Sequence, residues 1–156
     1  MSQGRIILIL LSMIAAFAVA IHLFTTIVAP PESGQTVVAF DLSRPRAPAE
    51  ARKLLNPIPV SEDVIQQGDE LFHGKGNCFV CHGDTGKGDG DAGALLVPKP
   101  TDLTDPNLHM LRRDGELFWP IRYGIEGGMF AYVPRHVTEE EAWMIVHYLK
   151  TLKAER

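Results

Sequence analysis

The chain contains two cysteines, three positions apart and followed at once by a histidine: Cys78-Phe79-Val80-Cys81-His82. So close a pair has few uses. As a disulfide it would close a tiny loop and stabilise little. As a thioredoxin-like dithiol it would want a βαβ neighbourhood, which the surrounding sequence does not show. A structural zinc ion needs four ligands, so Cys78, Cys81 and His82 would have to recruit His73, His109 or His136 with no second CxxC or HxxxH spacing to support it. The remaining use accounts for every part. Two thiols at this spacing can each add to one vinyl group of a haem, while the adjacent imidazole reaches the iron from the same short helical turn.

Of the 156 residues 46% are hydrophobic and the net charge is −4, which excludes a disordered or collagen-like chain. The acidic balance argues against a nucleic-acid partner, whose footprint is a basic surface. The apolar residues are concentrated at the amino terminus. From Ile6 to Ala29 there is no Lys, Arg, Asp, Glu, Gly or Pro, and as a helix the run would span ~36 Å, enough for a bilayer core of about 30 Å. Residues 1–29 therefore read as a transmembrane anchor. The nearest positive side chains are Arg5 on one side and Arg44 on the other, an asymmetry that puts the amino terminus inside and all that follows Pro30 outside. A cleavable signal peptide is the rival, because Ala18-Val19-Ala20 has the small-x-small pattern of a cleavage site. Either way the remainder is exported. His22, with no second intramembrane ligand in the chain, reads as a neutral histidine bonded to a neighbour or to interfacial water.

Residues 30–61 hold six of the 11 prolines and keep neither a helical nor a strand period, so they read as a linker. A short strand at residues 36–40, or a helix at residues 47–55, could form there on docking to a partner. The head, residues 62–156, carries 10 Lys or Arg against 16 Asp or Glu, a net −6. Three segments in it read as helices. Ser61 can cap the first, from about Glu62 to His73, with Val64, Gly68, Leu71 and Phe72 on one face. The second follows Asp114 and ends at Gly124. The third opens with the capping box Thr138 to Glu141 and stripes Ala142, Ile145, Val146, Leu149 and Leu152. Between them run glycines 83, 86, 88, 90 and 93 and prolines 98, 100 and 106. Three helices joined by so much irregular chain make a poor core for their length, as if a large non-protein group fills the middle.

From about Glu62 to Lys153 the chain resembles the class I c-type cytochromes. The pieces that carry the likeness are Gly68 to Phe72, Cys78 to Gly88, Gly115 to Trp119, Gly124 to Met129, and Trp143 to Leu152. The resemblance implies an all-α fold around one covalent haem c, with first and last helices crossing near a haem edge and Gly68 and Tyr148 as the close-packed pair. It makes His82 the proximal ligand and places the distal methionine in a loop between the middle and last helices, where Gly127-Gly128-Met129 stands. Met110, in a loop of its own, is the runner-up, and Met144 falls on the packing period of the last helix. Phe130 follows Met129 where the family commonly has proline. In the family a proline carbonyl downstream of the motif accepts the proximal imidazole's Nδ1 proton, and Pro98 and Pro100 are both candidates. Arg122 and Tyr123 could bind a haem propionate, or be a solvated charge and a half-buried ring. Trp119 and Trp143 read as core aromatics.

Iron held on both faces by protein can pass one electron but has no open position for a substrate, and a methionine ligand raises its potential. The expected role is therefore electron carrier, not an enzyme by itself. Small mono-haem subunits of this kind resemble those of quinol-oxidising and terminal-oxidase assemblies, including alternative complex III. That implies redox protein partners and other subunits of a respiratory complex in a bacterial cytoplasmic membrane, with the haem domain on the periplasmic face. A free anchored shuttle is the next reading. A haem-based ligand sensor, or a peroxidase partner, in which Met129 is displaced, comes from a different class.

Overall fold

The computed structural model describes residues 2–28 and 46–152. The chain divides into two units, residues 1–40 and 41–156. In the first, the apolar run forms one helix, α1 (Gln3–Val28). Its segment Gln3–Phe24 is long and apolar enough to cross a membrane. The large side chains of that segment, among them Ile6, Leu11, Phe17 and Phe24, are exposed, as suits a surface meant for lipid.

Every regular element among the second unit's described residues is a helix, with no strand, in agreement with the all-α expectation. The expected strand at residues 36–40 lies outside the described residues. Ser61 caps α2 (Glu62–His73), its Oγ accepting from the Val64 amide at 3.2 Å. The attachment motif forms the single turn α3 (Phe79–His82). Then follow α4 (Pro106–Leu111), α5 (Asp114–Tyr123) and α6 (Glu139–Leu149). The capping box of α6 closes in both directions: the Glu141 amide donates to Thr138 Oγ1 at 3.1 Å and the Thr138 amide to Glu141 Oε2 at 2.7 Å. Helix α4 has no counterpart in the sequence pattern. Six residues are too few to show a period, although Asp105 as cap and Pro106 in the first turn are ordinary start signals.

Helices α2 and α6 form the main packing of the unit. They meet at Gly68, where a Cβ would collide with the Met144 carbonyl and stand 2.9 Å from Tyr148 Cβ, so the backbones approach as closely as the expected Gly68–Tyr148 pair requires. Around this crossing Phe72, Phe118, Val137, Ile145 and Val146 are fully buried. Phe118 stacks on Trp143 with centroids 3.8 Å apart, so Trp143 is the core aromatic expected of it. Trp119 is only half-buried and packs on Tyr123 at 4.3 Å.

One boundary needs correction. Residues 46–61, assigned to the linker from their prolines, pack on the helical unit instead. Ala49–Lys53 form a turn of 3₁₀ helix in which Ala51 has no exposed surface. Its neighbour Leu54 presses on α5, where a Cβ at Gly115 would lie 2.7 Å from Leu54 Cβ. Asn56 Nδ2 donates to the Trp143 carbonyl at 3.0 Å, and His147 Nε2 donates to that of Ile58 at 2.8 Å. Arg52 Nε reaches Glu116 Oε2 at 3.2 Å, while Arg112 holds the other oxygen of that carboxylate at 3.2 Å. Glu116 is buried, which by itself would raise its pKa. The Arg113 amide and the two guanidiniums outweigh burial and lower it. Proline had erased the period without preventing this packing, because the partners lie far along the chain.

The Gly68→Ala variant should unfold at lower temperature, since its methyl meets backbone that cannot turn aside. The expected cost is at least the ~1–3 kcal/mol of an overpacked core. Far-UV circular dichroism against temperature measures it, and unchanged stability would contradict the close crossing.

Candidate haem-binding site

The attachment motif is held at both ends by backbone hydrogen bonds. Leaving α2, the chain turns at once: the Gly76 amide donates to the Leu71 carbonyl at 2.8 Å and the Cys78 amide to that of Phe72 at 2.9 Å. The turn α3 is closed by the His82 amide donating to the Cys78 carbonyl at 2.9 Å, which sets Cys78, Cys81 and His82 along one helical turn. The glycine-rich loop then wraps back over the same turn. Its Gly88, Gly90 and Ala92 amides donate to the carbonyls of His82, Cys81 and Val80 at 2.8, 3.2 and 3.0 Å. These are the carbonyls a helix this short leaves unpaired. Glycine is needed for the approach: a Cβ at Gly90 would strike the Val80 carbonyl and lie 2.5 Å from that of Phe79.

Both thiols are free, Cys78 buried and Cys81 half-buried. Burial pushes the Cys78 thiol up to about 12, with a smaller upward contribution from Cys81 nearby. That is the reverse of the depressed value a redox dithiol needs. Nor do the histidines considered for zinc converge on the thiols. His73 bonds to backbone oxygens of Asp69 and Asp84, His109 to the Leu103 carbonyl at 2.7 Å, and His136 lies against the Tyr132 ring. Among the described residues no three His, Cys, Asp or Glu side chains are grouped as metal ligands.

His82 Nδ1 lies 3.1 Å from the Thr101 carbonyl. Because a carbonyl only accepts, Nδ1 carries the proton and Nε2 is the nitrogen with a lone pair. This corrects the expectation for Pro98 and Pro100: the acceptor is the residue after Pro100. The Pro100 carbonyl instead faces Gly88, where a Cβ would come 2.6 Å from it, and the Pro100 ring faces Gly93. Which carbonyl of an irregular segment turns inward is not encoded in residue type.

Met129 belongs to a loop that leaves α5 at Gly124, whose φ of 74° is the left-handed region glycine favours. The loop closes on itself, with the Ile125 amide donating to the Met129 carbonyl at 2.7 Å and the Tyr132 amide to that of Ile121 at 2.9 Å. These bonds pin the segment although Phe130 replaces the family's proline. Half-buried Met129, Tyr132 and Val133 pack on the core. Burial raises the Tyr132 pKa, with smaller upward contributions from Cys78 and Cys81. Cys78 is one of the buried residues of that core, so the methionine loop and the cysteine turn, far apart in sequence, pack on the same cluster. Of the other methionines, Met110 is 73% exposed, and Met144 lies at the α2–α6 crossing.

Arg122 pairs with Glu139 at the start of α6, and its guanidinium lies 5.1 Å from the Tyr123 ring centroid. With Val133, Pro134 and Thr138 these residues line a surface cavity of about 360 Å³. Tyr123 is exposed where the sequence had allowed a half-buried ring.

Two free thiols one helical turn apart, an imidazole with Nδ1 engaged, and a methionine loop on the same core are the donors that a covalently attached haem requires. Residues 63–149 match the family model described as cytochrome c oxidase, cbb3-type, subunit III. The chain belongs to this cytochrome c family. As a c-type cytochrome it works by haem-based electron transfer, and its family implies covalently bound haem c, which supplies a one-electron iron couple. The fold is similar to that of a chain in the reducing HAO-like protein complex of Kuenenia stuttgartiensis, with a TM-score of 0.53 and 22% identity. The similarity covers 65% of the cytochrome and 50% of that chain. No curated protein matches the sequence.

The Gly90→Ala variant should lift the loop from the attachment turn. The yield of haem-loaded protein, read from absorbance per polypeptide, should fall severalfold relative to the parent; equal loading would contradict the packing described.

Proposed function

We propose that the cytochrome is a membrane-anchored mono-haem carrier of single electrons that works as a subunit of a larger respiratory complex. Cys78 and Cys81 would hold the haem through thioethers, and His82 Nε2 and the Met129 thioether would be the ligands of its iron. The observation that supports this reading is that Met129 and Tyr132 pack against the core cluster to which Cys78 belongs, since it gives one cofactor a ligand from each half of the head. With an imidazole and a thioether both committed to the iron, no position would remain for a substrate, and one-electron transfer would be the chemistry supplied.

The anchor is α1, and the single charge at its start, Arg5, supports an amino terminus inside and a head on the periplasmic face of a bacterial cytoplasmic membrane. Tethering keeps the head at high effective concentration beside neighbouring complexes, and its net −6 suits partners with basic docking patches. Membership of an assembly is supported by the fold's likeness to a chain of a multi-protein complex. A free anchored shuttle is the alternative that co-purification separates: solubilised in mild detergent, the cytochrome should bring stoichiometric partner subunits with it.

Ligation is tested by absorption. The ferric protein should show a weak band at the red end of the visible spectrum that is lost in Met129→Ala, and the reduced variant should bind carbon monoxide while the parent does not. Ready binding by the unmodified reduced protein would favour the sensor reading. One haem per chain should remain with denatured polypeptide after organic extraction, and a Cys78→Ser/Cys81→Ser double variant should lose it. A pigment-free parent would end the proposal.

A further inference from the structure

His73, the last residue of α2, faces oxygen at both ring nitrogens. Nδ1 is 2.7 Å from Asp69 Oδ1 and 3.2 Å from the Asp69 carbonyl, and Nε2 is 3.0 Å from the carbonyl of Asp84. Carbonyls and ionised carboxylates only accept. A neutral imidazole has one N–H to donate, so in that form one of its nitrogens would set a lone pair against an oxygen. The imidazolium satisfies both sides. Asp69 Oδ1 is closed off from solvent and has no aligned hydrogen-bond donor, which makes a neighbouring positive charge the more valuable.

The place of this ring ties it to the site. Asp84 lies two residues beyond His82, in the loop that wraps the attachment turn, so His73 joins that loop to the end of α2. The rings of Phe72, Phe79 and Tyr148 surround it at centroid distances of 5.0, 6.0 and 6.0 Å. Of these Phe79 belongs to the attachment turn itself. The titratable groups facing the imidazole are Asp69 from its own helix and the Tyr148 phenol from α6. Burial and the Asp69 carboxylate push the phenol upward, so it stays neutral where His73 titrates. For His73 itself burial opposes the charge, but the carbonyls of Asp84 and Asp69 and the Asp69 carboxylate outweigh it and hold the pKa above the usual histidine value.

We propose that His73 is a proton-dependent positioning residue that couples the haem's electron affinity to pH. As imidazolium it ties the Asp84 carbonyl to α2 and places a positive charge beside the attachment turn, which favours the reduced centre. On deprotonation the tie is lost from one side and the charge disappears, so the reduction potential falls. The converse follows by linkage: reduction raises the affinity of His73 for its proton. Between the His73 pKa values of the oxidised and reduced protein, one electron arrives from the reductant and up to one proton from water, forming an N–H bond and breaking none in the protein. The stabilisation given by this contact has the same sign. It is fully present below the ordinary histidine pKa and is lost as pH rises through the raised value. The inference rests on the reading that haem is held by Cys78, Cys81 and His82.

The test is an optical redox titration of the full-length holoprotein in detergent, with mediators, from mildly acidic to alkaline pH. The parent should show a fall in midpoint potential across one protonation step placed above the ordinary histidine pKa. His73→Gln and His73→Phe should lack that step, and Asp69→Asn should move it to lower pH while keeping it. A parent that is flat in this window, or a step that persists unchanged in both His73 variants, would overturn the proposal. Should the variants not fold, the His73 imidazole can be titrated by nitrogen NMR in the oxidised and the reduced parent, where equal pKa values would overturn it. The absence of any haem couple would instead refute the reading on which it rests.

Discussion

The close approach of α2 and α6 at Gly68 is the constraint on which the head depends. Because two backbones meet there without an intervening side chain, the end of α2 is fixed against the last helix, and the attachment turn is hung directly from that end. The Gly76 and Cys78 amides are satisfied by the last carbonyls of α2, so the orientation of the cysteine turn is inherited from the crossing. Any loosening of the crossing is passed on to the thiols within a few residues.

Around that fixed turn, the rest of the site is assembled by backbone. The glycine-rich loop caps three carbonyls, Thr101 orients the imidazole through a carbonyl, and the Met129 loop is closed by its own amides. Side chains supply the chemistry while main-chain hydrogen bonds supply the placement. A loop pinned by amides does not depend on a proline ring to restrict it, so Phe130 can follow Met129 without loosening the loop. It also makes His73 stand out, as a side chain doing a job that elsewhere in the site belongs to the backbone.

The 3₁₀ turn Ala49–Lys53 and the segment through Ile58 cover α5 and α6, with Glu116 between Arg52 and Arg112 and Asn56 on the Trp143 carbonyl. Chain that had read as connector is part of the folded unit. Of the three charges Glu116 is the buried one while Arg52 remains largely exposed, so it is the carboxylate that depends on its partners.

The local features were legible from residue type and spacing. The cysteine–histidine turn, Ser61 and the Thr138 box as helix starts, the stripe of α6, Gly124 as a terminator and the apolar run of α1 all act through neighbours within a few positions, where spacing in sequence is spacing in space. What required tertiary structure was each pairing between distant segments. Thr101 in place of Pro98 or Pro100, Arg52 on Glu116, Met129 and Tyr132 on the core cluster of Cys78, and the packing of residues 46–61 depend on where a backbone group points or which remote surface it meets. Such contacts leave no period or motif in the chain, because their energy comes from burial and hydrogen bonds formed only after the helices have come together.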